Sequence, residues 1–490
     1  MRTTSHVLAT VLAATIGAAP AVAQQSPADS PSAKPTRVAV AAVDTTAHAA
    51  LAKDSTTEAA KPAPSSFDPT VINPAAAGRA ATQQAIVVQH IRPVDQRGIN
   101  VFEPPKFDGS SYDGFALQWG AAFTQQFQGL DHRNTAAPNV VAGTNQNQLI
   151  RIGHGFNNAV ANLYLDAQLA RGIRVSLTSY MSARHHQEMW VKDGYLLIDD
   201  SPLPWELLQS LMTFVTVKAG HFEINYGDAH FRRTDNGNAM YNPFVGNLIM
   251  DAFTTEVGGE VYLRIPGVML MGGITNGEVR GTIQNPQKRS PALLGKAGFD
   301  RQVGQDLRVR LTGSIYSKRH SANNTLYSGD RAGSRYYDVM ENVASSEKDQ
   351  AWSGAIQPKL SDKITAMVVN PFVKFRGLEL FGNVERAKGR SGTEALDRTW
   401  NQLAGDVVYR FLPAEQVWVG ARYNTAKGKL AVTDPNEKVT RSQASAGWFI
   451  TPGVMLKGEY VIQHYDGFRQ TDIRNGGKFE GFVVEGVVAF

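Results

Sequence analysis

From residue 111 to its end the chain keeps a two-residue period, and no other feature narrows its possible folds so much. The last stretch, Lys478 to Phe490, is the clearest case. Phe482, Val484, Val488 and Phe490 share one parity; Glu485 and the small Gly481 and Ala489 share the other. Side chains alternate faces along a strand, so such a segment is apolar on one side and polar on the other. Phe115, Leu117, Trp119, Ala121 and Phe123 oppose Gln118, Gly120, Thr124 and Gln126 in the same way. Val257, Val261 and Leu263 oppose Glu256, Glu260 and Arg264; Leu307, Val309, Leu311 and Ile315 oppose Arg308, Arg310, Thr312 and Ser314. Leu403, Val407, Tyr409 and Phe411 oppose Gln402, Asp406 and Arg410. A soluble sandwich also alternates, but on shorter strands with its bulky residues in a core. Strands of about 10–14 residues with aromatics toward their ends predict an all-β, transmembrane antiparallel β-barrel. About 16 strands fit, enough to enclose an aqueous channel rather than a packed core.

Three domains follow from texture. Residues 1–23 read as a signal peptide: Arg2 is the positive n-region, Val7 to Ala19 the apolar h-region, and Ala21-Val22-Ala23 the small-residue cleavage site. That run is too short to be a membrane-spanning helix, and no later segment is more apolar. Residues 24–110 are an Ala/Pro/Ser-rich extension, expected to be disordered in the periplasm and to end in an extended lead-in from about residue 86. Residues 111–490 form the barrel.

The pI of 9.1 suggests a basic surface. However, Arg2 carries one of the five surplus positive charges, and residues 24–110 are balanced. The rest is too thin to imply a nucleic-acid partner. The absence of cysteine excludes thiol catalysis and Cys-ligated metals.

The parity opposite the apolar face supplies candidate pore-lining bases: Arg174, Lys218, Arg264, Arg308, Arg310, Lys374, Arg376, Arg410, Arg422 and Lys457. Candidate acids are Asp166, Glu256, Glu260, Glu379, Glu385, Asp406 and Glu459. Rings of Arg and Lys favour anions in a narrow pore; pairing across strands would instead leave the wall merely wet. A long stretch around 226–250 adds Arg232 and Arg233 and has two readings. It either folds into the lumen or packs as an extracellular loop.

The run Lys218-Ala219-Gly220-His221-Phe222-Glu223-Ile224-Asn225-Tyr226-Gly227, the loop after it, Glu256-Val257-Gly258-Gly259 and Gly272 to Glu278 carry a resemblance. They are similar to the phosphate-selective porin O and P family. His221 and Asn225 depart from that family's pattern, and no ladder of regularly spaced arginines is traceable. The resemblance implies a homotrimeric, roughly 16-stranded outer-membrane porin whose inward loop and basic side chains pass anions. Phe490 resembles the terminal aromatic by which the barrel assembly machinery recognises its clients.

The resulting expectation is passive diffusion of small hydrophilic solutes across the outer membrane, with weak anion preference and no cofactor. The alternatives are a plugged barrel with an adhesive or envelope-structural role, and an outer-membrane hydrolase. The hydrolase is the weakest. His185-His186 sits at an expected strand end, and no Gly-x-Ser-x-Gly or His-Glu-x-x-His motif exists. Asp330 and Asp338 are candidate loop ligands for Ca²⁺, although loop acids are usually only solvated.

Overall fold

The computed structural model describes residues 88–490 apart from 108, 158, 183–187, 236–237, 279–288, 329–334 and 346–353. The expected signal peptide, most of the extension, His185-His186 and Asp330 lie outside the described residues.

Sixteen long strands form one closed antiparallel sheet. They are β1 (Ala116–Arg133), β2 (Val160–Ala170), β3 (Ile173–Ser182), β4 (Glu188–Ile198), β5 (Val215–Glu223), β6 (Thr255–Ile265), β7 (Val268–Thr275) and β8 (Ala292–Val303). The second half comprises β9 (Leu307–Lys318), β10 (Lys363–Phe375), β11 (Leu378–Arg390), β12 (Arg398–Phe411), β13 (Val417–Gly428), β14 (Glu437–Thr451), β15 (Val454–Asp466) and β16 (Lys478–Ala489). Each pairs with its sequence neighbours. β1 closes the ring, pairing its first half with β2 and its second with β16. The backbones of Ala121 and Phe490 exchange two hydrogen bonds at this seam, each 3.0 Å.

The two rims differ. At one, strands are joined by turns as short as Pro266-Gly267, where Gly267 takes the left-handed conformation at φ +75°. One longer connection there holds the helix α1 (Glu206–Met212). At the other rim lie the long connections, including those between β1 and β2, β5 and β6, and β9 and β10.

The parity is as the sequence indicates. Val257, Val261, Leu403, Val407, Phe411, Leu456 and Phe482 are exposed on the outside; Glu256, Glu260, Gln402, Asp406, Arg410, Lys457 and Glu485 are buried inside. An apolar exterior with a polar interior is what a lipid-spanning barrel requires. Arg376 is a correction: it sits in the β10–β11 turn at φ +51°, exposed and paired with Asp306, not in the lumen.

The interior is not the open channel expected of a barrel this size. Leu326, Tyr336, Val339, Ile356 and Leu360 from the β9–β10 connection pack with Val245, Ile249 and Met250 in a buried apolar cluster. A second cluster gathers Met240, Phe244, Trp418 and Phe449. A Cβ at Gly447 would fall 2.2 Å from the Trp418 ring, whose indole N–H donates to Pro243 O at 3.2 Å. Gly447→Val should therefore destabilise the barrel by about 1–3 kcal/mol through overpacking. The check is the urea midpoint of loss of the compact, heat-modifiable gel form.

Candidate functional site: a partitioned lumen

Three segments enter the lumen and are held by the wall's polar side chains. The first, the described part of residues 224–254, settles the loop question in favour of the interior. Its backbone N–H groups donate to wall acceptors: Val245 to Glu459 Oε2 at 2.7 Å, Ile249 to Asn424 Oδ1 at 2.6 Å, Met250 to Gln402 Oε1 at 2.7 Å. Lys457 donates to the carbonyls of Ala239, Asn242 and Phe244 at 2.8–2.9 Å. Irregular backbone inside a barrel must find such partners, and here the wall provides them. Between this loop and the β11–β13 wall a void of only ≈ 20 Å³ remains, touched by Arg233, Asp251, Glu385 and Arg422.

The second segment is the described part of residues 319–362. Tyr327 Oη donates to Glu385 Oε1 at 2.7 Å, Tyr336 Oη to Glu459 Oε1 at 2.5 Å, and Arg335 Nε to Glu485 Oε2 at 2.9 Å. Ile356 N–H donates to Ile249 O, so the two loops also join each other.

The third is residues 88–107, which the sequence suggested was only a lead-in to the first strand. It crosses the short-turn end of the lumen. Gln96 N–H donates to Pro452 O at 2.9 Å, Arg308 to Asn100 O at 2.9 Å, and Lys106 to the carbonyls of Asp199 and Val215. Phe102 packs edge-on to Phe372 at 5.2 Å and to Phe231 at 5.9 Å. Glu103 is its main electrostatic tie, with Lys296 at 2.8 Å and Arg310 at 2.6 Å. Asp228 shares those cations, accepting from Arg310 at 2.8 and 2.9 Å with Lys296 at 2.8 Å.

Burial opposes ionisation of Glu103, yet Lys296 and Arg310 together hold its carboxyl well below the usual carboxylate range. The carboxylate therefore ties the segment down at any pH above its value when undocked, about 4.3. The tie is lost only as pH falls through the lower, docked value. Any conductance through the lumen in planar bilayers should therefore be flat from neutral pH to about 5 and rise only in stronger acid. A rise beginning at neutral pH would contradict this.

Two cavities flank the segment. One of ≈ 270 Å³ is lined by Asp166, Arg174, Asp193, Lys218, Glu223, Arg233 and Arg264, among others. The other, ≈ 590 Å³, reaches Phe214, Met269, Asp300, Arg308 and Arg310 at the short-turn end. Phe102, Glu103, Pro104 and Arg264 line both, so this stretch is the partition between them.

Apart from Arg376, the other eleven candidate bases point inward, but they do not form one ring. Nine face a carboxylate. Arg422 pairs with Asp406 at 2.6 Å, Arg410 with Glu379 at 2.8 Å, Arg308 with Asp300 at 2.6 Å and Lys457 with Glu485 at 3.0 Å, each across neighbouring strands. Lys218 lies 3.8 Å from Glu260, and Lys374 bonds Glu415 at 2.6 Å. Arg233 meets Asp251 at 2.5 Å, Arg310 meets Glu103 and Asp228, and Arg232 meets Glu379 at 3.3 Å. Among the described residues, Arg174 and Arg264 have no carboxylate within ion-pair distance; they donate to Gln89 O and Pro104 O. Sequence reasoning missed Asn100, Phe102, Glu103, Asp228 and Lys296. The available signal was local: unlike residues 24–85, residues 88–107 carry apolar and charged side chains in close alternation.

Among the described residues no group of His, Asp and Glu is placed to hold a metal ion.

No protein-family model and no curated protein matches this sequence. Solved structures do. An anion-selective porin from Comamonas acidovorans is 12% identical with a TM-score of 0.47, covering 77% of this chain and 100% of that one. The outer membrane channel DcaP of Acinetobacter baumannii is 11% identical with a TM-score of 0.45, over 78% and 99%. The trimer form of OmpT, an outer membrane protein of Vibrio cholerae, is 9% identical with a TM-score of 0.46, over 77% and 100%.

Proposed function

We propose that this protein spans the outer membrane as a channel for passive diffusion of small hydrophilic solutes, with its flux limited by the segments inside the lumen. The observation that carries this reading is the inner wall: charged and amide side chains face inward all round a closed barrel, and those of its first half line a cavity of ≈ 270 Å³ that adjoins a second, more apolar one at the short-turn rim. Water is the natural filling for spaces so lined, and solutes cross such a lumen without a catalytic group. The resemblance to the phosphate-selective porin O and P family supports the same reading, and implies a homotrimer with one lumen per protomer.

Anion preference, on this reading, is weak and local. Paired bases present little net field to a permeant, because each carboxylate offsets its cation. Arg174 and Arg264 are the exceptions, and both line the smaller cavity. Replacing both with Gln should move the reversal potential in a KCl gradient away from chloride and leave step size nearly unchanged. An unmoved potential would remove Arg174 and Arg264 as the source of selectivity.

A second reading, the plugged envelope-structural barrel, is favoured by the apolar clusters within the lumen. Single-channel recording of purified, folded protein separates the two. Stable open steps support the channel. A folded, inserted barrel without conductance supports the plug.

A further inference from the structure

The connection between β4 and β5 is out of scale with its neighbours. The other connections at that rim run from two to five residues, whereas this one spans residues 199–214 and builds α1. It is also apolar and exposed. Leu203, Trp205, Leu207, Leu211 and Phe214 are all exposed, Leu207 to 85%, while Met212 alone is buried and pins the helix to the barrel. From Ser201 to Phe214 the one charged residue is Glu206. A contiguous exposed apolar patch of this kind marks a surface that something covers.

We infer that α1 and its flanks lie in the lipid of the membrane leaflet at the short-turn rim, as an interfacial anchor. This rests on the membrane-spanning reading given above. Continuity identifies the occupant. Phe214 O accepts the backbone N–H of Arg264 at 2.8 Å, which places Phe214 beside outward-facing Leu263 and Ile265. The patch therefore runs into the apolar belt rather than standing apart from it. The same rim carries Trp119, edge-on to Phe490 at 5.9 Å, with Phe375 and Phe411 also exposed. Trp205 adds one more aromatic at the level where tryptophan prefers to sit in a bilayer. Leu207 and Leu211, one turn apart, form the inserted face of a helix too short to span but suited to lying flat.

The chain has no cysteine, so single-site labelling needs no background removal. Three variants of the full chain would carry a nitroxide in phosphatidylethanolamine–phosphatidylglycerol liposomes: Leu207→Cys on α1, Val407→Cys on the outward belt, and Ala395→Cys in the exposed β11–β12 connection. Collision rates with oxygen, which partitions into lipid, and with a water-soluble nickel chelate are then compared. Leu207 is expected to match Val407, with oxygen favoured, and to differ from Ala395. A nickel-accessible Leu207 beside a lipid-like Val407 overturns the anchor and leaves the membrane reading standing. A Leu207 shielded from both reagents, with spin coupling between protomers, overturns it in favour of a second copy on the patch. A nickel-accessible Val407 instead brings down the membrane reading itself.

Discussion

Freed of residues 88–107, the channel should conduct in steps severalfold larger than the intact protein. The two cavities of ≈ 270 and ≈ 590 Å³ share Phe102, Glu103, Pro104 and Arg264 as their common boundary. Three of those four belong to the crossing segment, so a chain truncated to begin at Gly109 would lose most of the partition. The double substitution Glu103→Ala with Lys106→Ala tests the same point with the segment still present. It removes the contacts to Lys296 and Arg310 and the lysine's bonds to the carbonyls of Asp199 and Val215. The expected result is frequent transitions to the larger step. Heat-modifiable gel mobility establishes that each variant is folded. Unchanged conductance in a folded, truncated barrel would show that the segment does not limit flux.

Glu379→Ala is expected to give the largest loss of stability among single substitutions in the lumen. Glu379 is fully buried and joins all three structural layers. Arg410 approaches it from the neighbouring strand at 2.8 Å, Arg232 from the inward loop at 3.3 Å, and Asn100 from the crossing segment. Removing the carboxylate leaves two guanidinium groups buried against each other. Breaking a buried pair by deleting one partner typically costs about 3–5 kcal/mol. The loss should appear as a lower urea midpoint. Replacing Arg410 as well, by Met, should recover part of it, since one of the two stranded charges is then gone. A Glu379→Ala barrel as stable as the parent would mean that water reaches this site freely.

The wall was legible in the sequence because a strand advertises its two faces residue by residue. Glu256 and Glu260 against Val257 and Val261 is a local fact, and so is the strand from Leu403 to Phe411. The contents of the lumen were much less legible. Whether residues 224–254 fold inward is decided by Glu459, Asn424 and Gln402, on strands far along the chain. The crossing segment shows the limit most plainly. Asn100 and Glu379 are 279 residues apart, and nothing near Asn100 announces the partner. The candidate bases on strands lie on the inner parity, with Arg376 as the exception because a turn breaks the period. Pairing across strands, one of the two readings of that face, is what Arg422 with Asp406, Arg410 with Glu379 and Lys457 with Glu485 show. The share of the charge balance supplied by Asp251, Asp228 and Glu103 was not visible, because they enter from loops and from the segment before the first strand.

The order of these parts along the chain constrains how the protein is put together. Residues 88–107 precede every strand, yet their partners Lys296, Arg310 and Glu379 lie on β8, β9 and β11, and the ring is completed only when Phe490 meets Ala121. The segment lies across one end of the lumen, so a finished cylinder still admits it from that end. The stretch that precedes every strand is then the last to be seated, as a stopper is fitted after the bottle is blown.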